Sequence, residues 1–532
     1  MTDLATRLIQ RWDELAQERP LTQWRKIVRY SLPAEAAAFG VDPDGPLTSP
    51  TVDDTIRECL DSMVEGIDDM LFHQDAYEVV PRDDGEANTG GYASRWADYA
   101  THNLNAAINN PLTGWATTRH LTERSTCGLG HGVMFVTERP GSHLVCKFEP
   151  ASEVVIAENA DGVVDTRIRR YPMTLRQVVE TWGDRASDQV RNRIDRFPGE
   201  KIDIIHGVYP RWEVMPGQHR MRMPWASCYI EVQTKKVLDE GGFMEFPFMI
   251  PRFDRRSCSP YGWSQVMTVL DEVLRVNSMG RSNLAAGQRI SNPETYYPDG
   301  MFARGLSAMR RPGADHVYNT SAAGQNPEVR QFPGPAQLPI PMEQEADRRN
   351  MIREIMFYYL FQPPESPNMT ATEWIGRQNQ MRRRIGGPVG RFEQEMAVPA
   401  GKRFFGILLR AGAIEPPQPP YSLSDFEVEF SSPVARMKRL TKAESIQRTL
   451  EASALVAQFD PRAIANIDGD ESVRELHEAY GAPAVMLRSR DDVAQQRAAD
   501  DQKQQIAELG QAAITGATAA KLAAEAGRAG GV

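Results

Sequence analysis

Paired cysteines, long apolar runs, a basic charge excess and the common catalytic signatures are all missing from this chain of 532 residues. Cys59, Cys127, Cys146, Cys228 and Cys258 are scattered with no C-x-x-C pair, so neither a zinc site nor a disulfide framework is indicated, and reduced, structural thiols are expected. No run approaches the about eighteen apolar residues that cross a bilayer, which predicts that the chain makes no membrane contact. The opening MTDLATRLIQRWDELAQERP carries acids in its first turns and is unlike a secretory leader, so the cytoplasm is the expected compartment. Lys and Arg number 61 against 71 Asp and Glu, a net charge of −10. That is the wrong sign for wrapping nucleic acid by phosphate neutralisation, so any contact with DNA is local and weak.

The glycine-rich CGLGHGVMF, with Gly128, Gly130 and Gly132, runs into a strand where phosphate binding needs a helix N-terminus. Gly401-Lys402 is followed by Arg403 instead of Ser or Thr and lacks the earlier glycine of a P-loop. The 9 histidines supply no H-E-x-x-H and no pair at ligand spacing, and His131 reads as a turn residue beside its glycines. The expectation is no catalytic residue, no cofactor and no metal. One alternative stays open, in which the acids of residues 53 to 69 hold a metal in a cytosolic nucleic-acid-processing enzyme. Against it, Asp53, Asp54, Glu58 and Asp61 sit where the start of a helix favours acids through its dipole.

What is present is mainly helical. Leu4, Leu8, Ile9, Trp12 and Leu15 share one face, as do Ile56, Leu60, Met63, Val64, Ile67, Met70 and Leu71. Helices are predicted again from Ser94 to Asn109 and from Leu112 to Cys127. Residues 132 to 170 turn to short β runs, which resume at Ile202 to Tyr209, Ala226 to Val232 and Phe246 to Ile250 after a short helix from Thr174 to Trp182. Ser259 and Pro260 have the form of a helix entry, and the pattern then runs without proline to about Ser291, a rod of roughly 45 Å. A second long helix is expected from Pro341 until Pro363 and Pro364 stop it. Between the two, residues 292 to 340 are studded with proline and glycine and predict loops with at most a short helix near Phe302 to Met309.

The stretch from Asn368 to Pro417 is the most specific. Thr370 and Glu373 form a capping box, and the helix that follows meets Gly386, Gly387 and Pro388, where an i to i−4 bond must fail and a kink is expected. Pro399 and Gly401 predict a second break before Phe404, Phe405, Leu408 and Leu409. The order Met-Thr-Ala-Thr-Glu, a basic helix, Gly-Pro, a Glu-rich turn, Arg-Phe-Phe-x-Ile-Leu-x-Arg-x-Gly and a proline run resembles the head-to-tail connecting (portal) proteins of short-tailed bacteriophages.

The resemblance implies an α+β, mainly α portal fold: a wing of helices and a small β-sheet (1–258), a first stem helix (259–291), a loop-rich clip (292–340) and a second stem helix (341–362). A tunnel loop (363–369), a kinked helix returning to the wing (370–440), a helical crown (441–490) and an Ala/Gln-rich C-terminal tail (491–532) complete it. It further implies a structural protein and not an enzyme: a homo-oligomeric ring, usually of twelve copies, at one capsid vertex of the virion, assembled in the host cytoplasm. DNA would pass through it in packaging and ejection. Its implied partners are the major capsid and scaffolding proteins, a terminase motor that hydrolyses ATP, a tail adaptor protein, and double-stranded DNA read without sequence specificity. The tunnel loop would comprise Pro363, Pro364, Glu365, Ser366, Pro367 and Asn368. Arg382, Arg383 and Arg384 on the kinked helix, and Arg348, Arg349 and Arg353 on the second stem helix, are the candidates for a channel-facing cationic belt. The competing reading of the same arginines is a solvated or subunit-pairing face.

Overall fold

The computed structural model describes residues 2–41, 51–72, 76–82, 92–139, 142–211, 223–257, 259–298, 314–318, 330–332, 339–362, 384–431, 433–457, 459–480 and 492–506, with a few isolated positions beyond Tyr480. The expected short helix at Phe302 to Met309, the tunnel loop and the Thr370 capping box lie outside the described residues. The chain falls into two compact units, one of Met1–Phe72 with Ile108–Ile407 and one of His73–Ala107 with Leu408–Val532.

In chain order the elements are α1 (Thr2–Gln17), α2 (Leu21–Tyr30), α3 (Thr55–Leu71), β1 (Tyr77–Pro81), α4 (Tyr92–Ile108), α5 (Trp115–Leu129), β2 (Met134–Arg139), β3 (Ser142–Phe148), β4 (Val154–Glu158) and β5 (Val164–Thr174). Then come α6 (Leu175–Trp182), α7 (Asp188–Arg193), β6 (Lys201–Pro210), β7 (Trp225–Glu231), β8 (Lys236–Phe243), β9 (Phe248–Met249), β10 (Arg255–Arg256), β11 (Ser259–Gly262), α8 (Gln265–Ser291), β12 (Glu294–Pro298), β13 (Asp315–Tyr318) and β14 (Arg330–Phe332). They are followed by α9 (Pro339–Ile355), α10 (Tyr358–Phe361), helical residues 384–392, α11 (Val398–Arg410), β15 (Phe426–Phe430), α12 (Pro433–Ala457) and α13 (Gly469–Tyr480).

The first unit is built on an antiparallel five-stranded meander, β4-β5-β6-β7-β8. Alternation along β6 sends Ile205 to one face and Ile202 and Ile204 to the other, because successive strand residues point to opposite sides. Ala5, Leu8, Trp12 and Leu15 of α1 cover the first face with Val155, Ile168 and Cys228. Leu175 and Val178 of α6 and Val190 of α7 cover the second. Thr174 starts α6 with a full capping box to Gln177. A smaller sheet, β3-β2-β9, stands beside α5.

The glycines of CGLGHGVMF end α5 instead of opening a phosphate loop. Gly130 has φ +94°, and a Cβ there would lie 2.2 Å from the Gly262 carbonyl oxygen, so two backbones cross at a distance only glycine allows. His131 lies just past this crossing, fully buried against Trp24 and Tyr261 at ring separations of 5.2 Å each and bridged to Arg252, so it is a core aromatic where the sequence suggests a turn residue. Cys59, Cys127, Cys146 and Cys228 are free and buried.

Several boundaries differ from expectation. Ser259 and Pro260 belong to β11, which pairs with β10, and α8 starts six residues later under Ser264, whose Oγ accepts from Met267 N (3.1 Å) and donates to the Gly128 carbonyl (2.8 Å). Its 27 residues still make a rod of roughly 40 Å. The 292–340 segment holds strands that its proline content hid: β12 pairs in parallel with β13 and antiparallel with β14. The second long helix ends at Ile355, ahead of its prolines, at Phe357 with φ +58°, a left-handed conformation costing a bulky residue about 1–2 kcal/mol. Residues 384–392 stay helical through Gly386, Gly387 and Pro388, and the departure from α geometry comes at Glu393–Ala397, a π turn in which Val398 N bonds back five residues to Glu393 O. Pro399 accounts for it: with no N–H and a ring that crowds the fourth carbonyl back, it is accommodated by widening the turn instead of by the expected break, and α11 continues.

In the second unit β15 pairs with β1, a partner the sequence reading did not foresee. Side chains of α4 occupy the other edge of β1: Asn105 bonds both main-chain groups of Tyr77, and Thr101 Oγ1 accepts from Val79 N (2.8 Å). The helices α12 and α13 form a pair joined by Lys442 and Glu475.

His131 and His206 are held neutral, His131 at a pKa of about 3 and His206 well below its ordinary value, first by burial and then by Arg252 or Arg167 nearby. In the unfolded chain both protonate near 6.5, so their neutral burial supports folding above that pH and opposes it as pH falls from about 6.5 towards 3. We expect the melting temperature to drop between pH 7 and pH 4 and His131→Phe to flatten that slope; an unchanged slope contradicts the assignment.

Candidate functional site: the paired long helices and their arginines

The site is built around the antiparallel pair α8 and α9 and the start of α3, all in the first unit. Asn277 sits on the buried face of α8. Its Oδ1 accepts from the backbone N of Val52 (3.0 Å) and of Asp53 (3.3 Å), and its Nδ2 donates to Val273 O (3.0 Å). One side chain thus satisfies two amides just ahead of α3 that have left regular structure. Asp53, buried, accepts from Thr55 N at 3.0 Å through Oδ1 and from Arg349 Nε at 2.6 Å through Oδ2. Arg349 also reaches Glu345 one turn earlier, and Glu345 accepts from Asn283 Nδ2 (2.5 Å) back on α8. Close approach is possible because Gly280 faces this point: a Cβ there would stand 3.3 Å from Val52 Cγ1.

The same geometry places the predicted arginines. Arg348 pairs with Glu272 of α8 at 2.5 Å, Arg349 with Asp53 and Glu345, and Arg353 with Glu58 of α3 at 3.4 Å. Burial works against the Arg353 charge, but the Glu58 carboxylate more than offsets it and holds the guanidinium above its ordinary value. All three arginines are therefore charge-matched within the chain, in the manner of helix-to-helix ties. Arg384 is exposed; Arg382, Arg383 and the loop residues Pro363, Pro364, Glu365, Ser366, Pro367 and Asn368 lie outside the described residues.

Five of the seven acids between residues 53 and 69 face a guanidinium: Asp53 meets Arg349, Asp54 meets Arg57, Glu58 meets Arg353, Asp61 meets Arg124 and Asp68 meets Arg119. Among the described residues no three His, Cys, Asp or Glu side chains are grouped to hold a metal ion. The sequence shows these acids as solvated or dipole-placed and does not show the distant partners of Asp53, Glu58, Asp61 and Asp68. The Asp54 to Arg57 and Glu345 to Arg349 spacings carry a local signal, as i, i+3 and i, i+4 pairs.

A second tie anchors the π turn. Arg252, nearly buried, donates from its backbone N to Glu395 Oε2 (2.9 Å) and from its guanidinium to Glu395, Glu158 and the Gly162 carbonyl. Arg403 of α11 pairs with Glu245 at 2.5 Å. Among the described residues no helix is long and apolar enough to cross a membrane.

Comparison with known proteins gives a consistent result. A family model described as "Bacteriophage head to tail connecting protein" matches residues 5–487. A "Probable portal protein" of Bordetella phage BPP-1 is 27% identical over 380 residues, covering 69% of this chain and 68% of the relative. A "Portal protein" of Salmonella phage epsilon15 is 26% identical over 407 residues, covering 73% of this chain and 71% of the relative.

Removal of Asn277 leaves two amides without their acceptor. Asn277→Ala is expected to cost about 1–3 kcal/mol in urea denaturation. Arg348→Ala, at a half-exposed pair, is expected to cost less than about 1 kcal/mol. Equal effects would contradict this ranking.

Proposed function

Because this chain belongs to the bacteriophage head to tail connecting proteins, the phage portal family, we propose that its paired helices α8 and α9 wall the channel of a ring of twelve copies. Portal proteins form rings at the capsid vertex and interact with capsid, terminase and tail. In our reading this chain does so as a structural conduit for DNA with no catalysis of its own, assembles in the host cytoplasm with scaffolding protein, and receives a tail adaptor at the 292–340 segment. The observation that carries the reading is a family match that runs unbroken through both long helices and the segment between them.

A wall made of charge-matched helices suits the task. A conduit must let phosphates slide, and arginines already paired to carboxylates offer little net field to a passing strand. The cationic belt is therefore assigned to Arg382, Arg383 and Arg384, and not to Arg348, Arg349 and Arg353. The joint at Gly386, Gly387 and Pro388 is retained as a bend within a helix, since the backbone there remains helical.

The purified chain is expected to form rings with a central hole in negatively stained images, and capsids carrying Arg382→Ala with Arg383→Ala to package DNA but leak it. Monomeric particles would overturn the ring. Normal DNA retention by the double variant would overturn the belt.

A further inference from the structure

The end of the second long helix carries four features that the channel reading does not require. The helix breaks at Phe357, which stands at φ +58° and ψ +19° although nothing about a phenylalanine favours the left-handed region. The next four residues form the single turn α10, and its last residue, Phe361, packs on α3 at Gly66. A Cβ at Gly66 would fall 1.9 Å from Phe361 Cδ1, 2.3 Å from Cε1 and 2.6 Å from Cγ, so the ring occupies the space a side chain would take. Tyr358 at the start of the turn donates its hydroxyl to Glu58 Oε1 at 2.5 Å, two helical turns along α3 from Gly66. The last carbonyl of α9, Ile355 O, accepts from the side chain of Gln265 at 3.3 Å, a substitute for the amide that a continuing helix would have supplied.

We propose that α10 is a latch with two positions: docked on α3 through Phe361 and Tyr358 it breaks the long helix at Phe357, and released it lets α9 run on through Phe361 as one helix. At the acceptors the exchange is one for one, and the released Gln265 Nε2 and Tyr358 hydroxyl pass to water. Ile355 O gives up Gln265 Nε2 and gains the amide of Tyr359, four residues on, while Glu58 keeps Arg353 after losing Tyr358. The docked form stores the unfavourable backbone of Phe357 and is held by contact of a half-buried ring with a glycine; the released form relaxes that residue and frees the ring. Two such arrangements of one segment, each satisfied on its own terms, make a bistable element. The helix end moves by six residues between them, roughly 9 Å along its axis. These contacts lie within one subunit, so the latch does not rest on the ring.

Hydrogen exchange on the full-length chain tests it. Gly66→Ala fills the seat of the ring, and Phe361→Ala removes the ring without touching α3; each is expected to slow exchange of the 357–361 amides about tenfold as they enter the helix. Adding Phe357→Gly to either, which makes the left-handed break free of penalty, is expected to return exchange to the unsubstituted rate. If both single variants exchange as fast as the parent or faster at 357–361, or if Phe357→Gly fails to reverse the slowing, there is no second position and the latch is wrong.

Discussion

The amides of Val52 and Asp53 emerge just ahead of α3, and the side chain of Asn277, from the middle of a long helix, is what receives them. Much of the first unit's helical part follows from that one arrangement. It fixes where α3 begins, brings Asp53 against Arg349, and through Arg349 and Glu345 sets α9 against α8. An apolar seam could hold two rods together at many registers. A buried polar cluster with directional partners selects one, because each slip leaves a desolvated donor or carboxylate unmatched.

The long-range pairing of the α9 arginines is not visible in the sequence. Three of them within six residues look like a positive stripe, yet Asp53 ahead of α3, Glu58 of α3 and Glu272 of α8, which help neutralise them, lie far away in the chain. The same pairing occupies Asp53 and Glu58, two of the acids of the metal reading. In the ring proposed above, such a helix pair would supply a wall that is tied by ion pairs and almost neutral because those pairs are matched.

Much of the architecture was legible because it rests on period and local chemistry. The face of α1, the short helix α6 and the long proline-free run of α8 are written within a few residues of themselves. Three kinds of feature were not. Strand partners such as β1 for β15, and the parallel β12–β13 pair, depend on residues distant in sequence, and runs of three to five residues among prolines carry little periodic signal. The π turn at Glu393–Ala397 replaced a predicted break because a helix can absorb proline by widening, an outcome that composition does not distinguish from termination. The break at Phe357 goes against its own residue type and stands beside contacts to Gly66 and Glu58 on another helix. At the site, the arginine and acid residue types were visible and their pairing was not, because pairing is a tertiary fact.

The central claim is that α3, α8 and α9 are held in register by the polar cluster at Asp53 and Arg349, and a double-mutant cycle of Asp53→Asn and Arg349→Met measures it directly. Asp53 is 6% exposed at its side chain and Arg349 37%, so the pair is partly shielded from solvent. The account predicts a coupling free energy of about 1–2 kcal/mol in urea denaturation. A coupling below about 0.5 kcal/mol, the level of an ordinary surface pair, would contradict it.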